Sequence, residues 1–449
     1  MVDDFAMRRG DMPPADLSGL AGRRVLIALS GGADSVALTA MLCEARPALG
    51  LTLFAAHLDH GIRPESADDA EWCRRLCAGL DIPFVAERID VPALAARSGE
   101  GLETVARRVR HAFLRRQREA LGAEFIALAH HMDDQAETVL MHLCRGTGPE
   151  GIGGMAEASG ALVRPLLGLR KRELLAYLDR RGLTWREDAT NAVDDNPRNA
   201  LRLHGIPALE HAYPGFVPAA ARYARSARIE SDYVADQTRL WMDGRLREGP
   251  FFQYLCLEPP VPEALLRRAI RALCGTALPW DRLNALAALA GADRGRLQVS
   301  PALTAERGRR GLYFLREAPP PIPEAPLSLN GKTRLEGLCE IEAACAEAVP
   351  VRGDPWRQAL DADALEGAVV RTRRAGDHIR PLGCGDRLLS DYMTDKKLDR
   401  PLRDCLPLVA KGERVLWACG LGISEDAKLT GRTRRAVALR CRHAYENLF

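Results

Sequence analysis

The chain has no apolar run long enough to span a bilayer, and its first residues, MVDDFAMRRGDMPPADLSG, carry no apolar core of the kind a secretory leader needs. It has no C-x-x-C pair, although there are 12 cysteines. They follow no regular frame, in a chain too large to need disulfide staples. These absences argue against a membrane protein and a secreted disulfide scaffold, and they predict reduced thiols in a cytoplasmic location. A strong charge imbalance is also lacking: the formal net charge is +3. No internal repeat is visible. What remains is globular in composition, 47% hydrophobic and 27% charged, and at 449 residues it calls for two or three domains.

The stretch Arg24 to Ala45, RVLIALSGGADSVALTAMLCEA, organises the rest. Val25 to Leu29 is an apolar run of strand length, and from Ser35 the residues Val36, Leu38, Met41 and Leu42 can share a helix face. Between them lies Ser30-Gly31-Gly32-Ala33-Asp34-Ser35. Two glycines permit a sharp turn and close approach to a ligand, and the following helix offers free N–H groups and a positive dipole end. That is a phosphate cradle. It lacks the Lys-Ser/Thr ending of a Walker A loop and the third glycine of a dinucleotide fingerprint. Instead it holds a carboxylate, Asp34, where phosphate would sit. Two anions tolerate each other only with a cation between them, so Asp34 implies Mg²⁺. The plainer alternative is a strand-to-helix turn with Asp34 and Ser35 as helix caps.

Beyond it, strand patterns (Leu51 to His57, Ile82 to Ala86, Glu124 to Ala129) alternate with helical ones (Ser66 to Leu80, Gly101 to Leu121, Asp133 to Cys144). That alternation predicts a doubly wound parallel α/β sheet, which binds ligands beyond the carboxyl ends of its strands. Polar clusters follow two of these strands. His57-Leu-Asp59-His60 is either a polar turn or an incomplete metal set. His130-His131-Met-Asp133-Asp134 is too rich in polar groups for core packing, and a single helix cap would not need them all. On the long helix, Arg107 and Arg110 are three apart and share a face, so they can turn towards a phosphate site. Arg108, Arg115 and Arg116 read as a solvated stripe. Arg145 to Met155, RGTGPEGIGGM, is too glycine-rich for an element interior and reads as a mobile loop.

The SGGADS hexapeptide resembles the pyrophosphate loop of the N-type ATP pyrophosphatases, which cleave ATP between the α and β phosphates. With HLDHGIR, ETVARRVRH, AHHMDDQAET, RGTGPEGIGGM, RPLL and the WREDATN…RN tail, in that order, the first half of the chain resembles the tRNA(Ile)-lysidine synthetases. It departs from that pattern at His111, where tyrosine is usual, and at Ala200-Leu201, where a further basic residue is common. The resemblance implies an ATP-dependent ligase. Such an enzyme adenylates the wobble cytidine of a tRNA(Ile) with a CAU anticodon at carbon 2, and L-lysine then displaces AMP. It implies ATP binding by Ser30, Gly31, Gly32, Ala33, Asp34, Ser35, His57 and Arg107, with Mg²⁺ on Asp34. Asp34, Arg110, His130 and Asp134 would be catalytic, and Asp134 would also meet the lysine ammonium. Arg198 and Asn199 would touch tRNA.

Past residue 214 the pattern changes. Pro218 to Met242, Pro262 to Cys274 and Pro279 to Ala290 predict a small helical domain over 215–318, and PPPIPEAP reads as a semi-rigid linker. Short alternating runs over 327–449 predict a small α+β domain. Its Arg371, Arg373 and Arg374 suit an RNA backbone and resemble the carboxy-terminal tRNA-binding domain of the same family. The catalytic domain would be 1–214. A homodimer is compatible with this organisation. Two rivals remain: a related tRNA thiolation enzyme, disfavoured by the missing C-x-x-C, and a non-catalytic tRNA- or nucleotide-binding protein.

Overall fold

The computed structural model describes residues 15–62, 66–186, 197–275, 278–316, 322–346, 354–444 and 446. The chain divides into two compact units, residues 1–232 and 233–449. Glu187 to Asn191 of the WREDATN tail lie outside the described residues, as does Arg63.

In the first unit the elements follow as β1 (Arg24–Ala28), α1 (Ala33–Leu49), β2 (Thr52–Asp59), α2 (Ser66–Gly79), β3 (Phe84–Arg88), α3 (Val91–Ser98), α4 (Leu102–Ala120), β4 (Phe125–Ala127), α5 (Met132–Cys144), α6 (Pro149–Ile152), β5 (Ala158–Ser159), β6 (Leu162–Val163) and α7 (Lys171–Arg181). They are followed by α8 (Pro197–Ala200), a π-helical turn over Leu201–Gly205, α9 (Ile206–Ala212) and α10 (Phe216–Met242). The strands form one sheet in the order β3-β2-β1-β4-β6-β5. All its pairings are parallel except β5 with β6 at the edge.

The sheet is covered on both faces, which is why β1 reads as an unbroken apolar run. Val25 and Ile27 turn to one side, into a core shared with α1 and with Leu174, Tyr177 and Leu178 of α7. Leu26 turns to the other, where Phe113 and Leu114 of α4 cover it with Ile126 and Leu128. The carboxyl ends of β1, β2 and β4 therefore open side by side onto the loops that begin α1, α2 and α5.

The second unit departs from the helical expectation for 215–318. Helices α11 (Glu263–Cys274) and α12 (Trp280–Gly291) form where predicted, but they pack on a five-stranded antiparallel sheet. Its strands are Leu246–Glu248, Phe252–Cys256, Gly295–Ser300, Leu303–Arg307 and Gly311–Leu315. Charged outer faces mask these short strands in the sequence, while Leu255, Ala305, Leu312 and Phe314 supply the buried face. The remainder is α+β, with a seven-stranded and a four-stranded sheet around one core. The end of the presumed linker is no spacer: Ala325–Pro326 pairs with Val369–Val370 as an edge strand, the position proline tolerates. Among the described residues all 12 cysteines are free, and no helix is long and apolar enough to cross a membrane.

Candidate active site

The glycine turn sits between β1 and α1. Gly31 has a φ of +87°, and its carbonyl accepts the Arg186 amide at 2.9 Å. The Ser35 hydroxyl donates to the Gly32 carbonyl at 2.9 Å and accepts from the Ser30 amide at 3.2 Å, so the two serines shape the turn from within. Gly32 is the N-cap of α1 and offers no side-chain hydrogen bond. The first amides of this 17-residue helix are therefore left for a ligand, unlike those of α3 and α5, which Asp90 and His131 cap. Ser35 donates to a carbonyl and Asp34 pairs with Lys171, so neither is the cap that the plainer reading required.

Asp34 looks across to the starts of α5 and α7. Its Oδ1 is 2.5 Å from Lys171 Nζ, and its Oδ2 is 3.7 Å from His131 Nε2. Burial resists ionisation of Asp34, but His131 and Lys171 outweigh it and hold the carboxyl below its usual range. His131 lies among three carboxylates, with Asp134 Oδ2 at 3.5 Å and Asp133 Oδ2 at 3.7 Å. Burial alone would lower its pKa; the hydrogen bond to Asp34 and the two nearby charges raise it instead. Asp133 ties two helix starts together, accepting the Lys171 amide at 2.8 Å and Arg170 Nε at 3.1 Å.

Asp134 accepts the His131 amide at 3.0 Å and Arg202 Nη2 at 3.3 Å. One turn on, Glu137 is 1% exposed and gripped by Arg198 Nε at 2.7 Å and Arg202 Nε at 2.6 Å. Of the pair expected to meet tRNA, Arg198 is turned towards α5 and bound to Glu137, and Asn199 is buried.

His130 stands beside this cluster. Burial and the charges of Arg164, Arg110 and Arg198 push its pKa down to about 3, and its buried Nδ1 makes no hydrogen bond. The ring is therefore neutral at working pH. Crowding by protein, together with Arg107 and Arg198, also lowers the pKa of Arg110. Among the described residues no carboxylate pairs with Arg107 or Arg110. Cations gathered without anions mark a seat for a polyanion.

His57 is differently placed from the nucleotide contact expected of it. It is 5% exposed beneath the turn, with Nδ1 2.9 Å from the Leu29 carbonyl and 3.6 Å from Cys73 Sγ. It props the end of β1 from below. The glycine-rich segment is not all loop: Pro149–Ile152 form α6, and Gln135 bonds both the amide and the carbonyl of Met155, at 2.8 and 3.0 Å. Arg228 of α10 bonds the carbonyls of Gly153 and Gly154. At Gly154, with φ +57°, a Cβ would lie 2.6 Å from Gln135 Oε1, so a larger residue would push the Gln135 amide off Met155.

Arg371 is corrected most sharply. It is 2% exposed in the second unit, with Nη1 and Nη2 on both oxygens of Asp377 at 2.8 and 2.7 Å and on the Gly412 carbonyl at 2.8 Å. A guanidinium so enclosed braces the sheet and cannot touch an RNA backbone. Arg373 pairs with Asp404, and the more exposed Arg374 pairs with Glu324.

Residues 13–209 match the PP-loop domain model, and residues 368–439 match the model described as the TilS substrate C-terminal domain. The chain is 35% identical over 448 residues to the tRNA(Ile)-lysidine synthase of Geobacter sulfurreducens, covering 94% of this chain and 93% of that one. The chain belongs to the tRNA(Ile)-lysidine synthase family. The enzyme of that name from Symbiobacterium thermophilum is 34% identical, with 99% and 98% of the two chains covered. That from Thermus thermophilus is 37% identical over 88% of this chain and 69% of its own. Membership makes this chain an ATP-dependent, tRNA-modifying enzyme.

Sequence reasoning missed Lys171 and Arg202, which reach the site from helical segments far along the chain. It singled out the polar cluster that holds His131 and Glu137 but gave neither a separate role.

Proposed function

We propose that this member of the lysidine synthases joins L-lysine to the wobble cytidine of a tRNA(Ile) with a CAU anticodon, using ATP and Mg²⁺. The observation that carries this reading is the uncapped start of α1, with Asp34 held ionised in its first turn, in a domain where Arg107 and Arg110 have no carboxylate partner among the described residues.

In this reading the amides of Gly32 to Ser35 hold the triphosphate. Asp34 fits a hard cation. Among the described residues no three His, Cys, Asp or Glu side chains form a metal cage, and one carboxylate beside phosphates is how proteins usually hold Mg²⁺. Bound there, Mg²⁺ would neutralise charge between the phosphates. The cytidine leaves its stack, and its carbon-2 oxygen attacks the α-phosphorus. The bond to the β-phosphate breaks, and Arg110 with Arg107 offsets the charge on the departing pyrophosphate. Neutral His130 can hydrogen-bond the α-phosphate or the base without adding a charge. The lysine amine then attacks carbon 2, AMP leaves with the former base oxygen, and the amine loses a proton. Asp134, backed by Glu137, attracts the lysine ammonium in exchange for Arg202 or Arg198. We further propose that residues 1–214 carry catalysis, that 215–318 and 327–449 hold tRNA, and that the enzyme works in the cytoplasm.

Labelled lysine should become covalently attached to an isoleucine tRNA transcript bearing CAU, with one AMP released per attachment. Asp34→Ala should cut ATP–pyrophosphate exchange at least about a hundredfold while leaving tRNA affinity nearly intact. Release of ADP, or retained exchange in the variant, overturns the assignment.

A further inference from the structure

The turn before α1 has no lysine of its own, whereas the commoner phosphate loops end in one that reaches the terminal phosphates. Folding brings one to it from 137 positions along the chain: Lys171, whose Nζ is 2.5 Å from Asp34 Oδ1. We propose that Lys171 is the phosphate-binding cation of this loop, lent by α7, and that it exchanges Asp34 for the β- and γ-phosphates when Mg²⁺–ATP binds. The proposal rests on the ATP and Mg²⁺ reading above.

Three features of the site carry it. The first is anchorage with freedom at the tip. Lys171 is the first residue of α7, and its amide is held by Asp133 at 2.8 Å, so its backbone is fixed at the mouth of the turn. Its side chain is 38% exposed and, among the described residues, has one anionic partner. An ammonium on a flexible four-carbon stem can swing from one anion to another.

The second is exclusion. A Mg²⁺ ion on Asp34 and an ammonium on the same carboxylate repel each other at close range in a partly desolvated site. Once the metal takes Asp34, Lys171 must find another anion. Asp133 is engaged by Arg170, and Asp134 by Arg202. A triphosphate on the α1 amides is the nearest supply of negative charge.

The third is that the Asp34–Lys171 pair is not needed to dock α7. Leu174, Tyr177 and Leu178 are fully buried, and Tyr177 and Arg181 bond Glu44 of α1 at 2.6 and 2.9 Å. Arg170, the residue before, is already engaged with Asp133 and Glu210. Among the described residues, Lys171 is the cation of α7 that reaches Asp34 at the turn.

The test is equilibrium binding of ATP and of AMP to the full chain in Mg²⁺ buffer, comparing wild type with Lys171→Met and Lys171→Arg. Losing one charge-assisted contact should weaken ATP about tenfold or more in Lys171→Met. AMP, which has no β- or γ-phosphate, should bind all three proteins alike. Lys171→Arg should restore ATP affinity to within about threefold of wild type, because the positive charge remains. Equal ATP affinity in wild type and Lys171→Met overturns the proposal, and so does a parallel loss of ATP and AMP, which would mark a structural role. Failure of wild type itself to bind ATP would instead refute the nucleotide reading on which the proposal stands.

Discussion

Arg110 and Arg371 are the same residue type, each in a basic cluster, and each chosen from the sequence as a phosphate contact. In the folded protein they have opposite circumstances. Arg371 is sealed in the second unit with both oxygens of Asp377. Arg110 stands in the first unit beside Arg107, with no carboxylate partner among the described residues and a pKa lowered by crowding and by like charges. The first arrangement spends its charge on the fold. The second carries an electrostatic cost that only a bound anion relieves. Partnering, rather than basicity, separates a structural arginine from a functional one.

A pair of substitutions would break this contrast if it is wrong. Arg371→Met leaves Asp377 buried and uncompensated, a change that typically costs about 3–5 kcal/mol, so the melting temperature should fall steeply while the KM for ATP stays unchanged. Arg110→Ala should do the reverse. Pyrophosphate exchange should drop about a hundredfold, and the melting temperature should hold or rise, because a repelled cation has gone. Calorimetry and exchange assays on both variants decide it. A stability loss in Arg110→Ala, or an ATP defect in Arg371→Met, would erase the distinction.

Two histidines give the next, smaller test. His443 of the second unit is buried, with Nε2 2.9 Å from the Cys405 carbonyl, and burial pushes its pKa down to about 4. In the unfolded chain the ring titrates near 6.5, so acid protonates the unfolded state first. The stabilisation is complete above about pH 6.5 and is lost as pH falls towards about 4, roughly 2–3 kcal/mol between pH 7 and 4.5. His443→Gln should flatten that acid slope in denaturant titrations. His130 has the same sign, with a pKa of about 3, but part of its depression comes from Arg164, Arg110 and Arg198. A bound triphosphate offsets those charges, so ATP should shrink the contribution of His130 and leave that of His443 untouched.

How much of this was legible beforehand depended on how far apart the cooperating residues lie. The glycine turn, its Asp34 and the flanking β1 and α1 are contiguous, and their apolar spacing and turn chemistry predicted them nearly to the residue. The parallel sheet followed from strands alternating with helices. The antiparallel strands at Leu246–Cys256 and Gly295–Leu315 did not, because their buried faces are short and interrupted by charge. At the site, nothing local distinguishes Lys171 from the other basic residues at the start of α7, or Arg202 from any helix-surface arginine. Their roles arise where α7 and the π-helical turn meet α1 and α5. The glycine-rich segment misled because its composition suits a loose loop, while its clamps, Gln135 and Arg228, belong to helices elsewhere.

The smallest effect belongs to Arg374, which tests the middle ground between a spent charge and a free one. Its guanidinium is 58% exposed and meets Glu324 Oε2 at 2.8 Å, a surface pair worth no more than about 1 kcal/mol. With Arg373 and Ser390 it lines a cavity of about 420 Å³. An RNA phosphate competes readily with so weak a partner. Arg374→Ala should weaken tRNA binding a few-fold and reduce the slope of log affinity against log salt by about one, with ATP affinity unchanged. Glu324→Ala should move binding the other way, since it removes the competing anion while keeping the cation. Opposite shifts from the two halves of one ion pair are expected only if the pair opens to admit phosphate. Losses of equal sign would place Arg374 with Arg371, among the charges the fold has already used.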